Sequence, residues 1–384
     1  MQVLHMLHIV TMAAVLSCMV GLLIVASKDW HGKHSLDHDL AGVQKFHTRA
    51  VPRIGGLAVV SGVSLTPFFL EMLVAPSSTT LFTVPVLKLV LASLPAFGAG
   101  IVEDLTKQVS VKTRLAATIV SALVGSWLLG ATMETVNIWG VDSLFKFGPL
   151  ALFATAFMVA GNANAINIID GFNGLAASVV VIMQISLGVL AWQTGDELVL
   201  LLALLGGGAT LGFFVINFPT GGLFLGDGGA YFIGFWCAEM AVLLLVRNPS
   251  VNAWQVLSVC AYPVIEVLFS IYRRKFVRKA SPGAPDGLHL HTLLYRRFVV
   301  RYCRANVYAP WVRNASVCCV VAPCIALFAM TTILFGKSVI GAILLVLLQV
   351  LSYVLVYQRL VRGNWRRKAG RARQVVPAGN AKLS

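Results

Sequence analysis

The chain has 384 residues, 58% of them hydrophobic and 12% charged. Soluble domains carry about 45–50% apolar and about 25% charged residues, so a soluble globular fold is excluded, and so is a disordered chain. The net charge of +15, from 30 Lys and Arg against 15 Asp and Glu, then reads as membrane topology and not as nucleic-acid binding.

Eleven apolar runs are long enough to cross a bilayer at about 20 residues each. They cover 4–26, 54–74, 81–102, 115–129, 149–169, 174–192, 198–216, 229–246, 253–272, 315–335 and 339–357. The fourth is short and borrows from its flanks. Each is expected as a helix, because a helix satisfies its own backbone in lipid. The expected fold is therefore all-α, a polytopic integral membrane protein of about 11 transmembrane helices. One helical domain covers 1–358, and a basic tail, expected to be disordered, covers 359–384.

No Lys or Arg precedes the first run, and Lys28 and Lys33 follow it, which is unlike a cleaved signal peptide. Residues 27–53 hold five Lys and Arg, 103–114 three, 273–314 ten and 358–384 eight, 26 of the 30 in alternate connections. The positive-inside rule then places the N-terminus outside and the C-terminus in the cytoplasm, with 170–174 and 217–228 as further inner loops. Seven Cys offer no metal-type spacing with His partners, and six of them lie in apolar runs; a disulfide or zinc framework does not fit.

Acidic and amide residues gather at the inner ends of the spans. The first inner loop runs Lys45-Phe46-His47-Thr48-Arg49-Ala50-Val51-Pro52-Arg53 into Gly55-Gly56, and Lys45 and Arg53 are candidate phosphate contacts. Glu103 and Asp104 end the third span. Asn162, Asn167, Asp170 and Asn173 close the fifth; on one continuous helix they fall at about 0°, 140°, 80° and 20°, a polar stripe facing a wet cleft. The plainer reading of such amides is hydrogen bonding between helices, and Asn164 suits it best. Asp227 sits among five nearby glycines at the start of the eighth span, where helix amides are available to anions. With Asp104 and Asp170 it forms a set of hard oxygen ligands suited to Mg²⁺. Between the ninth and tenth spans lie Asp286, His289, His291 and a run of arginines. The two histidines would point apart on a helix, which suits a loop. Glu266, within the ninth span, needs a partner and is expected to border the same cleft.

These motifs resemble those of the bacterial polyprenyl-phosphate N-acetylhexosamine-1-phosphate transferases, glycosyltransferase family 4, over Lys45 to Thr292. The resemblance implies that Asp227 binds magnesium, that Asp104 is the second aspartate of an acidic pair, and that Asp170 opens an Asp-Gly-x-Asp-Gly motif. It also implies that His289 and His291 belong to a His-x-His-His element near the nucleotide sugar. Glu103, Asn173 and Thr292 depart from the family pattern, Asn173 by replacing an acid. The pattern is closer to the O-antigen-initiating branch than to the muramoyl-pentapeptide enzyme.

The implied enzyme sits in the bacterial inner membrane, with its active site at the cytoplasmic face. Polyprenyl phosphate attacks a UDP-N-acetylhexosamine and UMP leaves, with Mg²⁺, or Mn²⁺ in its place, as cofactor. Glu103, Asp104 and Asp170 are the catalytic candidates, Asp104 either binding metal or deprotonating the lipid phosphate. Lys45, Arg53, Asn162, Asn167, Asn173, His289 and His291 are the substrate-binding candidates. A homodimer is a family-level expectation, and no nucleic acid is involved. The rival is a transporter or flippase for an anionic lipid, which should carry its polar site at the midplane in broken helices. Gly206-Gly207-Gly208 is the feature that suits it.

Overall fold

The computed structural model describes residues 2–37, 49–73, 80–279, 286–303 and 307–362. Among them every regular element is helical, apart from one antiparallel bridge between Leu36 and Pro52. The helices are α1 (Gln2–Ala26), α2 (Lys28–Ser35), α3 (Gly56–Leu73), α4 (Thr80–Thr106), α5 (Val111–Leu129), α6 (Gly148–Ile169), α7 (Leu175–Thr194), α8 (Glu197–Asn217), α9 (Gly226–Arg247), α10 (Ala253–Val259), α11 (Ala261–Tyr272), α12 (Leu290–Leu294), α13 (Val300–Tyr302), α14 (Pro310–Phe335) and α15 (Val339–Arg362).

Each of the eleven apolar runs coincides, among the described residues, with helix, apart from a residue or two at its ends. Among the described residues, eight helices are long and apolar enough to cross a membrane unbroken: α1, α4, α6, α7, α8, α9, α14 and α15. Helix α3 is a shorter apolar segment, and α5 carries Lys112 and Arg114 in its first turns. The ninth run is not one straight helix: α10 and α11 meet at 83°. Pro263 explains the break, since it has no N–H and its ring clashes with the carbonyl four residues back, at Val259, where α10 ends. Helix α15 continues to Arg362, past the boundary expected at 358; the rest of the tail lies outside the described residues.

Helix α9 is the axis of the bundle. Its residues from Gly226 to Leu244 are buried on all faces, the pattern of a helix enclosed by others, and α3 to α8 and α10 pack around it. Trp236, Phe232 and Phe235 fill the centre. The triple glycine does not break a helix. Helix α8 runs through it, and a Cβ at Gly208 would come within 2.6 Å of the Val10 carbonyl of α1. The glycines let two backbones touch, as small residues do between membrane helices.

On the side away from the basic loops, Asp196 ties α8 to α9. Its carboxylate accepts from Val199 N at 3.2 Å, Arg247 Nε at 2.7 Å and Asn248 Nδ2 at 2.9 Å. Burial pushes this carboxyl up, but the three donors outweigh it and hold the pKa below the usual carboxylate range. A depressed folded pKa gives stability that is full above the unfolded value near 3.9 and is lost as pH falls through the folded value. Asp196→Ala should cost about 1–3 kcal/mol and lower the thermal midpoint of the purified protein at pH 7. An unchanged midpoint would show that the cluster carries no stability.

Candidate active site

The site is built at the N-terminus of α9. A helix start leaves four N–H groups without intrahelical partners, and no side chain from α9's own N-cap reaches them. Asp104, in the last turn of α4, supplies the acceptor. Its Oδ1 receives the Asp227 N–H at 2.9 Å and its Oδ2 the Gly228 N–H at 3.0 Å. Asp104 is fully buried, so the amides and the positive helix end offset a charge that would otherwise be costly there. The approach requires glycine. A Cβ on Gly228 would lie 2.8 Å from Ile101, and one on Gly229 would lie 2.7 Å from the Gly56 Cα.

Residues 52–56 run beside 224–225. Phe224 N donates to Pro52 O, Gly55 N to Phe224 O and Gly56 N to Leu225 O, each at 2.9 Å. This pairing carries Arg53 to the carboxylates, with Nη2 at 3.3 Å from Asp104 Oδ1 and 3.4 Å from Asp227 Oδ1. Asp227 also receives Asn167 Nδ2 at 3.1 Å and a close ion pair from Arg114. Asp170 caps α6, within electrostatic reach of Arg53, Asp227 and Asp104. Its carboxylate accepts no hydrogen bond from the described residues. Burial, joined by the charges of Asp227 and Asp104, raises its pKa to about 7, against the pull of Arg53. An orphan carboxylate held near two others is a place where a cation relieves repulsion. Among the described residues no three His, Cys, Asp or Glu side chains form a metal cage. Mg²⁺ is commonly held by only one or two carboxylates, with substrate phosphates completing its shell. These hard oxygens therefore fit Mg²⁺ or Mn²⁺.

A second arm reaches the site from α11 and α12. Glu266 Oε1 accepts from Leu290 N at 3.1 Å and pairs with His289 Nδ1 at 2.9 Å. The loop expected for His289 and His291 holds for the first of them only. His289 is the N-cap of α12, outside the helical twist, and the two rings stack with centroids 5.3 Å apart. Phe172, two residues after Asp170, packs edge-on against His291 at 5.7 Å. Asp286 binds Ser270 and Arg273. Burial pushes its carboxyl up, but hydrogen bonds from Arg273 and Ser270, with the charge of His289, hold it below the usual range. Burial lowers the pKa of His291 to about 4 despite the Glu266 charge, so its imidazole is neutral at pH 7.

Of the residues singled out by sequence, the structure unites Arg53, Asp104, Asn167, Asp170 and Asp227, and places His289 and His291 alongside. The polar stripe does not exist as one helix, because α6 ends at Ile169. Asn173 lies in the following turn and donates to Pro219 O at 2.9 Å, clamping two loops. Asn162 is buried on α6 and donates to Gly234 O at 2.8 Å, a bond between helices. Asn164 does likewise toward Thr118. Glu103 accepts from Val109 N at 2.8 Å and closes the α4–α5 turn. Lys45 lies outside the described residues. Two members were absent from the candidate list. Arg114 stands in the first turn of a helix, where a cation is disfavoured, and that was a legible sign of a partner. Glu266 showed its need of a partner, and the partner is His289.

The chain matches the family model described as glycosyl transferase family 4 over residues 86–245. That stretch holds Asp104, Arg114, Asp170 and Asp227 but neither Arg53 nor the histidine arm. The chain is 30% identical over 254 residues to a probable undecaprenyl-phosphate N-acetylglucosaminyl 1-phosphate transferase of Bacillus subtilis (strain 168), covering 65% of this chain and 66% of that protein. It is 27% identical to the undecaprenyl-phosphate alpha-N-acetylglucosaminyl 1-phosphate transferase of Thermotoga maritima, covering 66% and 71%. It is also 27% identical to a decaprenyl-phosphate N-acetylglucosaminephosphotransferase of Mycobacterium tuberculosis (strain H37Rv), covering 64% and 65%. The chain thus spans about two thirds of the length of these relatives.

Two outcomes follow from this geometry. Gly226 has φ +76° and a Cβ there would strike Arg53 O and Asp104. Gly226→Ala should destabilise the fold by at least about 1–2 kcal/mol, the cost of a left-handed residue, and so lower the thermal midpoint. Gly98→Ala, whose Cβ meets open space, should leave it level or raise it. The depressed pKa of His291 gives stability that is full above the unfolded value near 6.5 and falls as pH drops from there toward about 4. Thermal melts from pH 7 to pH 4 should show this loss, with a shallower slope in His291→Gln. An equal slope in the variant would contradict it.

Proposed function

The chain belongs to glycosyl transferase family 4, and we propose that it transfers N-acetylhexosamine-1-phosphate from a UDP-sugar to polyprenyl phosphate, releasing UMP. The observation that carries this reading is the convergence of Asp104, Asp170 and Asp227 with Arg53 and Arg114 at the N-terminus of α9. Phosphoryl transfer asks a protein mainly for positioning and electrostatic stabilisation, and this cluster supplies both signs of charge at one buried point. The basic connections face the cytoplasm, the N-terminus lies outside, and the product starts a cell-surface polysaccharide such as an O-antigen.

Arg53 and Arg114 are the cations that receive the diphosphate. Asp227 would hold Mg²⁺, whose chemistry there is to neutralise charge on the diphosphate. Asp104 has both oxygens committed to the α9 amides, so it is a positioning residue for Asp227. Asp170 is the carboxylate open to take the proton of the acceptor phosphate, and a pKa near pH 7 suits a general base. A phosphate oxygen of the polyprenyl phosphate forms a bond to the sugar-bearing phosphorus, and the bond from that phosphorus to the UMP oxygen breaks. Neutral His291 and Glu266-paired His289 stand beside the turn that bears Asp170 and are the donors to the nucleotide sugar.

One phosphoanhydride is exchanged for another, so the reaction should run backward measurably. In proteoliposomes holding polyprenyl-diphospho-N-acetylglucosamine, labelled UMP should enter UDP-N-acetylglucosamine only when Mg²⁺ is supplied. Asp227→Asn should slow this exchange by about 10²-fold or more, as the loss of one group stabilising a transition state does, while the protein still inserts and folds. Wild-type exchange in Asp227→Asn would sink the assignment. Lipid movement across the vesicle with no exchange would give the site to a flippase.

A further inference from the structure

On the far side of α12 from the carboxylates, the structure holds a second concave site. It is a groove of about 420 Å³ between the end of α11, α12 and the last turns of α15. Phe269, Val277, Leu293, Tyr357 and Val361 give it an apolar floor, and Arg273, Arg278 and Arg297 line its edge. Val277 and Val361 remain 65% and 39% exposed, so the floor is open to a ligand. Arg273 is committed to Asp286 and lies 5.9 Å from the Tyr357 ring. Arg278 is exposed and Arg297 half-buried.

We propose that this groove binds an anionic glycerophospholipid, with an acyl chain on the apolar floor and its phosphate against Arg278 and Arg297. An apolar cleft with guanidinium groups at its rim is complementary to a chain that ends in a phosphodiester. The level also fits. The groove lies at the end of a membrane-spanning helix, on the face of the basic loops, where lipid phosphates are found. In sequence, the tail that leaves the groove at Val361 goes on with Arg362, Arg366, Arg367, Lys368, Arg371 and Arg373, a density of cations that attracts anionic lipid surfaces. The floor is separate from the chemistry. Helix α15 packs on α10, α11, α12 and α14, whereas the carboxylates stand on α4, α6 and α9, so a phosphate at Arg278 is not the reacting one. The assignment does not rest on the transferase reading.

The test titrates the purified full chain, in neutral detergent, with phosphatidylglycerol or phosphatidylcholine and counts bound lipid by native mass spectrometry. Phosphatidylglycerol should be retained about tenfold more tightly. Arg278→Gln with Arg297→Gln should erase the preference, and Val361→Trp, which fills the groove, should reduce retention of both lipids. The basic tail is intact in all variants, so the loss reports the groove. Val361→Trp alters one partly exposed position and stands as the test if the double variant fails to fold. Equal retention of the two lipids by the wild type, an undiminished preference in the folded double variant, or undiminished retention in Val361→Trp would overturn the proposal. Undecaprenyl phosphate forms a third arm. If it displaces phosphatidylglycerol, and its own binding is lost with the two arginines, the groove belongs to an isoprenoid phosphate and the phospholipid assignment falls.

Discussion

The carboxylate of Asp104, seated on the first amides of α9, is the interaction on which the site depends. Two costs meet there. A buried carboxylate needs donors, and the start of a buried helix has donors without acceptors. Each answers the other across 123 residues of sequence. Neither α4 nor α9 can slide without leaving a charge or an amide unpaired in a low-dielectric interior, where such losses are most expensive. Glycines at 100, 226, 228 and 229 make the approach possible, because a side chain at any of them would meet the opposing chain.

Once α9 is anchored, the rest of the cluster follows. Asp227 stands in its first turn and cannot leave the junction of α3, α4, α5 and α6. Arg53 arrives through the backbone pairing of 52–56 with 224–225. Arg114, in the first turn of α5, is tolerated at a helix end of the wrong polarity because Asp227 neutralises it. Asp170 is the one carboxylate of the three whose bonds the described protein does not supply, and burial leaves it poised to gain a cation or a proton.

The histidine arm rests on a different device. Pro263 breaks the ninth span, and the 83° turn sends α11 off the bundle axis. Glu266 on that helix fixes the His289 ring and the first amide of α12, while Asp286 links the same ring to Arg273. Phe172 joins the arm to the turn that bears Asp170. The histidine arm, which lies outside the stretch that the family model matches, thus meets the turn after α6 through an aromatic contact.

Sequence alone determined the class of the protein and where its apolar helices lie, and it singled out the acidic residues that the structure brings together. These are one-dimensional properties: the length of an apolar run sets a span, and a carboxylate that no neighbour can satisfy announces itself. Tertiary structure decided what each residue meets. Asn162 and Asn164 became bonds between helices and Asn173 a clamp between loops, although one helical wheel had put Asn162 and Asn173 with Asp170. The stripe failed because α6 stops one residue before Asp170, and that end is set by packing. His289 and His291 converge because one of them stands outside the helix as its cap. Asp104, a catalytic candidate by sequence, is in the structure also the anchor of α9. A hydrogen bond between residues far apart in the chain depends on where two helices cross, and helix crossings are fixed by the fit of whole surfaces.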